Sequence, residues 1–245
     1  MSAILSVLRS LLFYVVFYTG TVPIVVAAMM AVPLGRRPLR FMVAVWTLYH
    51  RYCVNLLLGI RVRIEGELPE GGVLVAMKHE SFFEAIDLPV LFRNPVVFAK
   101  AELLAIPMWG HAAKAYDMIA VDRDQGAKAL RSMLKLAKER VSPDRVLVIF
   151  PEGTRVPHGA PSPLRSGFAG LYKLLGLPVV PVAVNSGPLY HRRWKRSGTI
   201  TVKVGEAVPA GLAREEAEAR VIAAMNALND SHMLPEPLEN PATPR

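Results

Sequence analysis

Residues 10–35 carry no charge, a run of 26 positions. About 20 apolar residues suffice to take a helix across a bilayer. A backbone that meets lipid must close its own hydrogen bonds, so such a run is restricted to helix. Gly20 and Pro23 interrupt it, which leaves one kinked span, a re-entrant segment or an interfacial helix. The apolar part exceeds the ~7–15 residue core of a secretory leader, and no A-x-A site precedes Pro33. The segment therefore reads as a retained anchor.

Charge places this anchor. No acidic residue precedes Glu65, whereas Arg9, Arg36, Arg37, Arg40, Arg51, Arg61 and Arg63 do. The formal net charge is +9, and the mean hydropathy of +0.31 is high for a soluble domain. Arginines flanking apolar runs fit an anionic membrane surface. Arg36, Arg37 and Arg40 outnumber Arg9, so the positive-inside rule puts the following domain on the cytoplasmic face, at the inner membrane if the source is bacterial. A nucleic-acid module needs basic residues interleaved with exposed aromatics in a soluble fold, and no such pattern is present.

A second apolar stretch covers residues 41–60. Thr47, Arg51 and Asn55 are spaced by four and make a narrow polar stripe on a helix. Either the helix lies in the interface or on the first one, or it is a buried helix of the domain core. The organisation expected is membrane-anchoring helices in 1–59, an α/β domain in 60–232 and a disordered proline-rich tail in 233–245. Cys53 is the only cysteine, so no intrachain disulfide forms, and its apolar neighbours mark it as a small core residue.

The domain reads as strands alternating with helices. Residues 60–65 alternate strictly, as in a half-exposed strand. Residues 73–77, 146–150 and 179–184 are continuously apolar, as in strands covered on both faces. Residues 96–99, 118–121 and 199–204 are further strands. Helices are expected over 82–92, 102–113 with a break at Pro107, 125–141, 167–175 and 212–228. This pattern gives an α/β sheet domain.

Two stretches can carry chemistry. The strand 73–77 stops at His79, and Glu84 follows five residues later. A histidine takes protons near neutral pH, and a carboxylate can orient it and stabilise its charged form. Ser81 and Glu84 equally fit a helix capping box. Asp87, one turn further on, is a second possible partner. The other stretch, Phe150-Pro151-Glu152-Gly153-Thr154-Arg155, follows a buried strand, where ligand loops of α/β sheets lie. Gly153 permits close backbone approach, Thr154 offers a hydroxyl and Arg155 a fork suited to phosphate. Lys100 and Arg123 stand at two more strand ends and complete a possible anion pocket. The histidines show no paired metal-ligand spacing, and G-x-S-x-G is absent, so neither a metal site nor a serine hydrolase is expected.

Together these blocks resemble the glycerolipid acyltransferase family, in particular its lysophosphatidate acyltransferases. Residues 79–84 look like the family's H-x4-D block, 118–123 like its second, 150–155 match its F-P-E-G-T-R block, and 179–184 look like its fourth. Glu84 stands where the family usually has aspartate. The resemblance implies a mixed central sheet covered by helices. It implies transfer of a fatty acyl group from acyl-CoA or acyl-carrier protein to the sn-2 hydroxyl of 1-acyl-glycerol-3-phosphate, giving phosphatidate in phospholipid biosynthesis. His79 would be the general base, oriented by Glu84. Arg155, Arg123 and Lys100 would hold the acceptor phosphate, with Glu152, Gly153 and Thr154 shaping that pocket. Val180 and Pro181 would line the acyl side. No metal or other cofactor is implied. Another lyso-lipid acceptor would leave the same blocks. A thioester hydrolase fits less well, because water needs no phosphate clamp.

Overall fold

The structure, a computed structural model, describes residues 3–122 and 126–229. The proline-rich tail expected over 233–245 and the candidate Arg123 lie outside the described residues. Helix α1 (Ala3–Ala31) is continuous and keeps Pro23 inside it. A 3-10 turn (Val32–Leu34) and Gly35, whose φ of 105° suits only glycine, lead into α2 (Arg36–Leu56). Then follow β1 (Ile60–Glu65), β2 (Leu74–Met77), α3 (Phe82–Leu91), β3 (Val96–Lys100), α4 (Trp109–Ala115) and β4 (Ile119–Val121). The described chain ends with α5 (Gly126–Arg140), β5 (Leu147–Ile149), α6 (Ser166–Leu175), β6 (Val179–Val184), α7 (Gly187–Tyr190), β7 (Gly198–Val204) and α8 (Arg214–Met225).

The strands form one sheet in the order β1-β7-β6-β2-β5-β3-β4. Only β6 and β7 pair antiparallel, so the sheet is mixed. The interior strands β2, β5 and β6 are buried at every position, which is why they read as unbroken apolar runs. Edge strand β1 is buried only at Ile60 and is half-exposed or exposed beyond it. Successive side chains of a strand point to opposite faces. Val75 and Met77 accordingly join Phe13, Phe17, Cys53, Val54 and Phe83 in one core, while Leu74 and Ala76 join Phe168, Leu171 and Val221 in the other. Residues 3–56 thus share a core with the sheet. The expected boundary at 59/60 separates helices from strands along the chain, not in packing.

Helix α1 lies along the domain. Near its start Ser10 Oγ accepts the Lys195 N–H at 2.8 Å, and the Tyr14 hydroxyl donates to the Arg193 carbonyl at 2.6 Å. Near its end Ala28 packs with Leu39 and Tyr116. A helix held at both ends by one domain cannot project away from it. The outward face is an apolar stripe of Ile4, Leu8, Leu11, Val15, Tyr18, Val22, Val26 and Met30.

Helix α2 buries polar side chains beside apolar ones, with Leu39, Cys53 and Val54 joined by Thr47 and His50. Phe41, Leu48, Tyr52 and Leu56 are exposed, whereas Thr47 is buried and Arg51 turns inward. The Arg51 guanidinium grips Asp87 of α3 with both prongs, Nε to Oδ1 at 2.8 Å and Nη2 to Oδ2. Burial raises the Asp87 pKa above the ordinary carboxylate range, with Arg51 opposing the shift. This pair fastens α2 to α3. Removing one partner of a buried pair leaves the other uncompensated. Arg51→Leu is therefore expected to cost about 3–5 kcal/mol of stability, measured by chemical denaturation of the detergent-solubilised protein.

Candidate active site

Strands β6, β2, β5, β3 and β4 run parallel and side by side, so their carboxyl ends share one edge of the sheet. His79 follows β2, residues 150–155 follow β5, Lys100 ends β3, and Ser186 follows β6. Positions far apart in sequence meet there because parallel neighbours end together. This is where ligands bind in open α/β sheets.

The Phe150–Arg155 stretch holds His79 by its backbone. The His79 N–H donates to Glu152 Oε2 at 2.9 Å, and the His79 carbonyl accepts the Val156 N–H at 2.7 Å. The imidazole stacks on Phe150 with ring centroids 4.2 Å apart. Gly153 turns the chain between these contacts with φ 72°, a conformation that L side chains avoid. A second histidine–carboxylate pair braces the same loop. His158 Nδ1 lies 2.9 Å from Glu80 Oε1, and Glu80 Oε2 accepts the Gly187 N–H at 2.9 Å.

His79 Nδ1 lies 3.0 Å from Glu84 Oε1. That oxygen also accepts the backbone N–H groups of Glu80 and Ser81, each at 2.6 Å. Oε2 accepts from the hydroxyls of Ser81 at 2.9 Å and Ser186 at 2.6 Å. Ser81 Oγ in turn caps α3 by accepting the Phe83 N–H. Glu84 therefore fills the capping box and orients the histidine at once, the two roles that the sequence left as alternatives. Asp87 is occupied by Arg51 and does not stand in for it.

The Glu84 side chain is fully buried. Burial alone raises its pKa, but the hydrogen bond and charge of His79, with Ser186 and Ser81, outweigh it and hold the group below the usual range. An ionised Glu84 accepts the proton on His79 Nδ1, leaving Nε2 with the basic lone pair. Glu152 is the opposite case. Burial pushes its pKa up, against the His79 N–H and Lys78. Lys78, itself buried, reaches Glu152 Oε1 at 3.5 Å and Asn226 Oδ1 at 2.7 Å.

His79 borders a cavity of about 1040 Å³. Strand ends and loops contribute its polar lining, with Lys100, Gly153, Thr154, Arg155 and Arg165. The Arg155 guanidinium lies over the Phe82 ring, 4.3 Å from its centroid. Helices α1, α2 and α4 contribute apolar lining that includes Val25, Ala28, Met42, Trp46 and Trp109. Three expectations need adjustment. Glu152 does not border the cavity, because its carboxylate is spent on the His79 backbone. Val180 and Pro181 do not border it either. Val180 faces the core beneath α1 and α2, and Pro181 lies against Gly205. The apolar lining comes instead from the helices and from Val97, Phe98, Val121 and Ile149 of β3, β4 and β5. Ser186 and the Glu80–His158 pair gave no sequence signal, since each acts through a partner distant in the chain.

A fixed imidazole beside an ionised carboxylate, facing a cavity with cationic and apolar walls, has the geometry of a general base beside a binding pocket. The Acyltransferase family pattern matches residues 59–185. A 1-acyl-sn-glycerol-3-phosphate acyltransferase of Pseudomonas aeruginosa is 32% identical over 212 residues, 83% of this chain and 81% of that one. The human 1-acyl-sn-glycerol-3-phosphate acyltransferase alpha is 29% identical over 208 residues, 80% and 72% of the two chains. The crystal structure of the 1-acyl-sn-glycerophosphate (LPA) acyltransferase PlsC of Thermotoga maritima superposes with a TM-score of 0.69. The match covers 91% of this chain and 97% of that one at 22% identity, and shows the same fold. The chain belongs to the acyltransferase family and is an enzyme of that class.

Because the folded-state pKa of Glu84 is depressed, its ionisation stabilises the fold above the unfolded value of about 4.3. That contribution is lost as pH falls through the lower folded value. Urea denaturation should show the stability advantage of the native protein over Glu84→Gln to be largest near pH 7, shrinking below about pH 4.3. Turnover of Glu84→Gln at pH 7 should fall by about 10²–10⁴-fold, and normal turnover would remove Glu84 from the mechanism.

Proposed function

We propose that the enzyme transfers a fatty acyl group from an acyl thioester to the sn-2 hydroxyl of 1-acyl-glycerol-3-phosphate, giving phosphatidate in phospholipid biosynthesis. The observation that carries this reading is the His79–Glu84 pair at the edge of a cavity that also holds Lys100, Thr154 and Arg155. The names of the Pseudomonas and human relatives support the acceptor. The donor is coenzyme A or acyl-carrier protein, both of which present the same thioester.

His79 Nε2 takes the proton of the acceptor hydroxyl as its oxygen attacks the thioester carbonyl. The C–O bond forms, the tetrahedral intermediate collapses, and the C–S bond breaks. The leaving thiolate takes the proton back from His79. Glu84 stabilises the imidazolium between these two transfers. Arg155 and Lys100 neutralise the acceptor phosphate and hold the hydroxyl near Nε2. Holding two reactants in register supplies much of such a rate. No covalent enzyme intermediate and no metal enter the steps.

The exposed apolar side chains of α1 and α2 support a membrane location. With α1 lying along the domain, the reading is of helices that enter the bilayer surface side-on, as interfacial anchors do. The excess of Arg36, Arg37 and Arg40 over Arg9 supports a cytoplasmic face for the domain. Both acyl chains then reside beside the cavity.

Free thiol release from a long-chain acyl-CoA, with and without lysophosphatidate, tests the reaction. Release should require the acceptor and fall by about 10²–10⁴-fold in His79→Ala. Arg155→Gln should raise the acceptor KM by about 10–100-fold with a smaller change in kcat, the loss of a hydrogen bond to a charged group. Release independent of the acceptor would instead identify a hydrolase, and a preference for a phosphate-free lyso-lipid would displace the proposed acceptor.

A further inference from the structure

A second, smaller cavity of about 240 Å³ opens at the elbow between α1 and α2, bordered by Gly35, Arg36, Lys114, Asp117 and Arg140. Asp117 is nearly fully buried and stands among four guanidinium groups. Arg36 Nη2 lies 3.2 Å from it, Arg40 Nη2 3.3 Å, Arg145 Nη1 3.2 Å and Arg140 Nε 4.0 Å. Lys114 adds a fifth cation on the cavity wall. Among the described residues Asp117 is the only carboxylate paired with any of these arginines. Three of these cations, Arg36, Lys114 and Arg140, border the cavity with the one carboxylate Asp117, a surplus of two, and Arg140 Nη1 also donates to the Asp117 and Met118 carbonyls.

Two further features stand beside this surplus. Arg40 Nε and Arg145 Nη2, on arginines that pair with Asp117 behind the cavity wall and do not border the cavity, are buried without a hydrogen-bond partner, a state that folded proteins avoid. Helix α2 also begins here. Its first turn reads R-R-P-L, with no acidic residue and no side-chain cap. Cations at the positive end of a helix dipole are unfavourable, and an anion at that place reverses the sign of the interaction.

We propose that this elbow cavity binds the phosphate of an anionic phospholipid headgroup. The source is argued from position. Met30 and Leu34 before the elbow and Phe41 after it are exposed apolar side chains. Seating them among acyl chains sets the elbow at the depth of the lipid phosphates. The site lies apart from the acceptor phosphate held by Arg155. Only the packed layer of Ala28, Leu39 and Tyr116 stands behind it, and Ala28 and Tyr116 also border the large cavity. A bound headgroup would therefore brace a shared wall and tie the shape of the acyl cavity to the charge of the membrane.

The test reads binding rather than turnover, so its failure leaves the proposed reaction standing. The full chain carrying Arg155→Gln, which disables the acceptor phosphate site, is titrated in non-ionic detergent with a short-chain phosphatidate or with inorganic phosphate. The thermal midpoint reports occupancy, since a ligand of the native state stabilises it in proportion to its saturation. Phosphatidate should raise the midpoint saturably. Adding Arg36→Gln and Lys114→Gln, both exposed side chains, should weaken its apparent affinity at least tenfold. The charge-matched pair Arg37→Gln and Arg61→Gln, which borders neither cavity, should leave it within about twofold. Either no shift in the Arg155→Gln parent or equal losses in the two double variants would overturn the site. Saturation by inorganic phosphate with no further effect of phosphatidate would overturn the lipid source.

Discussion

The site depends on how the loop after β5 takes both backbone groups of His79. Its N–H goes to the Glu152 carboxylate and its carbonyl to the Val156 N–H. A histidine at the end of a strand would otherwise sit on a free loop. Here its backbone is closed into a hydrogen-bonded ring with the neighbouring strand end, and Phe150 packs flat on the ring. The constraint explains the buried Lys78 and Glu152. A carboxylate that must serve a backbone N–H inside the protein needs a cation nearby, and Lys78 supplies it while Asn226 of the C-terminal segment holds Lys78. Gly153 then frees the chain to bring Thr154 and Arg155 to the cavity wall.

A second economy lies in Glu84. One carboxylate caps α3, fixes the histidine tautomer and accepts the Ser186 hydroxyl from the end of β6. Its position on the first turn of α3 makes the helix start and the site geometry a single structure. The next carboxylate on that helix, Asp87, binds Arg51 of α2 instead. Through α3, helix α2 with its exposed apolar side chains and the histidine are joined by a buried ion pair and a capping box. Motion of α2 relative to the domain cannot occur without disturbing α3.

Much of this was legible in the chain. The strand segments 60–65 and 179–184 coincide with β1 and β6, because burial on one or both faces leaves a clear hydrophobic period. Pro107 separates a 3-10 turn from α4, as the expected break required. His79, Gly153, Thr154 and Arg155, singled out by residue type and spacing, border one cavity, with Glu84 against His79. Other positions were not legible. The polar stripe of α2 left a helix in the interface or packed on the first and a buried core helix as alternatives, and in the structure α2 packs on α1 with Thr47 and Arg51 turned inward and Asn55 exposed. What draws Arg51 inward is Asp87, a partner 36 residues away. Val180 and Pro181 read as an acyl wall, but apolar character cannot distinguish a strand facing a cavity from one inside a packed core.

The sequence by itself determined the helix and strand order, the uncharged N-terminal helix and the residue types at two strand ends, because these follow from local periodicity and from residue type. Only the tertiary structure decided which ends meet. Strand order across the sheet set His79 beside Arg155 and Ser186, closed the Glu80–His158 brace, and gathered four arginines around Asp117 at the elbow. Those contacts join residues with no sequence relation. The physical reason is that burial and hydrogen bonding between distant segments are properties of the packed sheet and its helices, to which no local pattern refers.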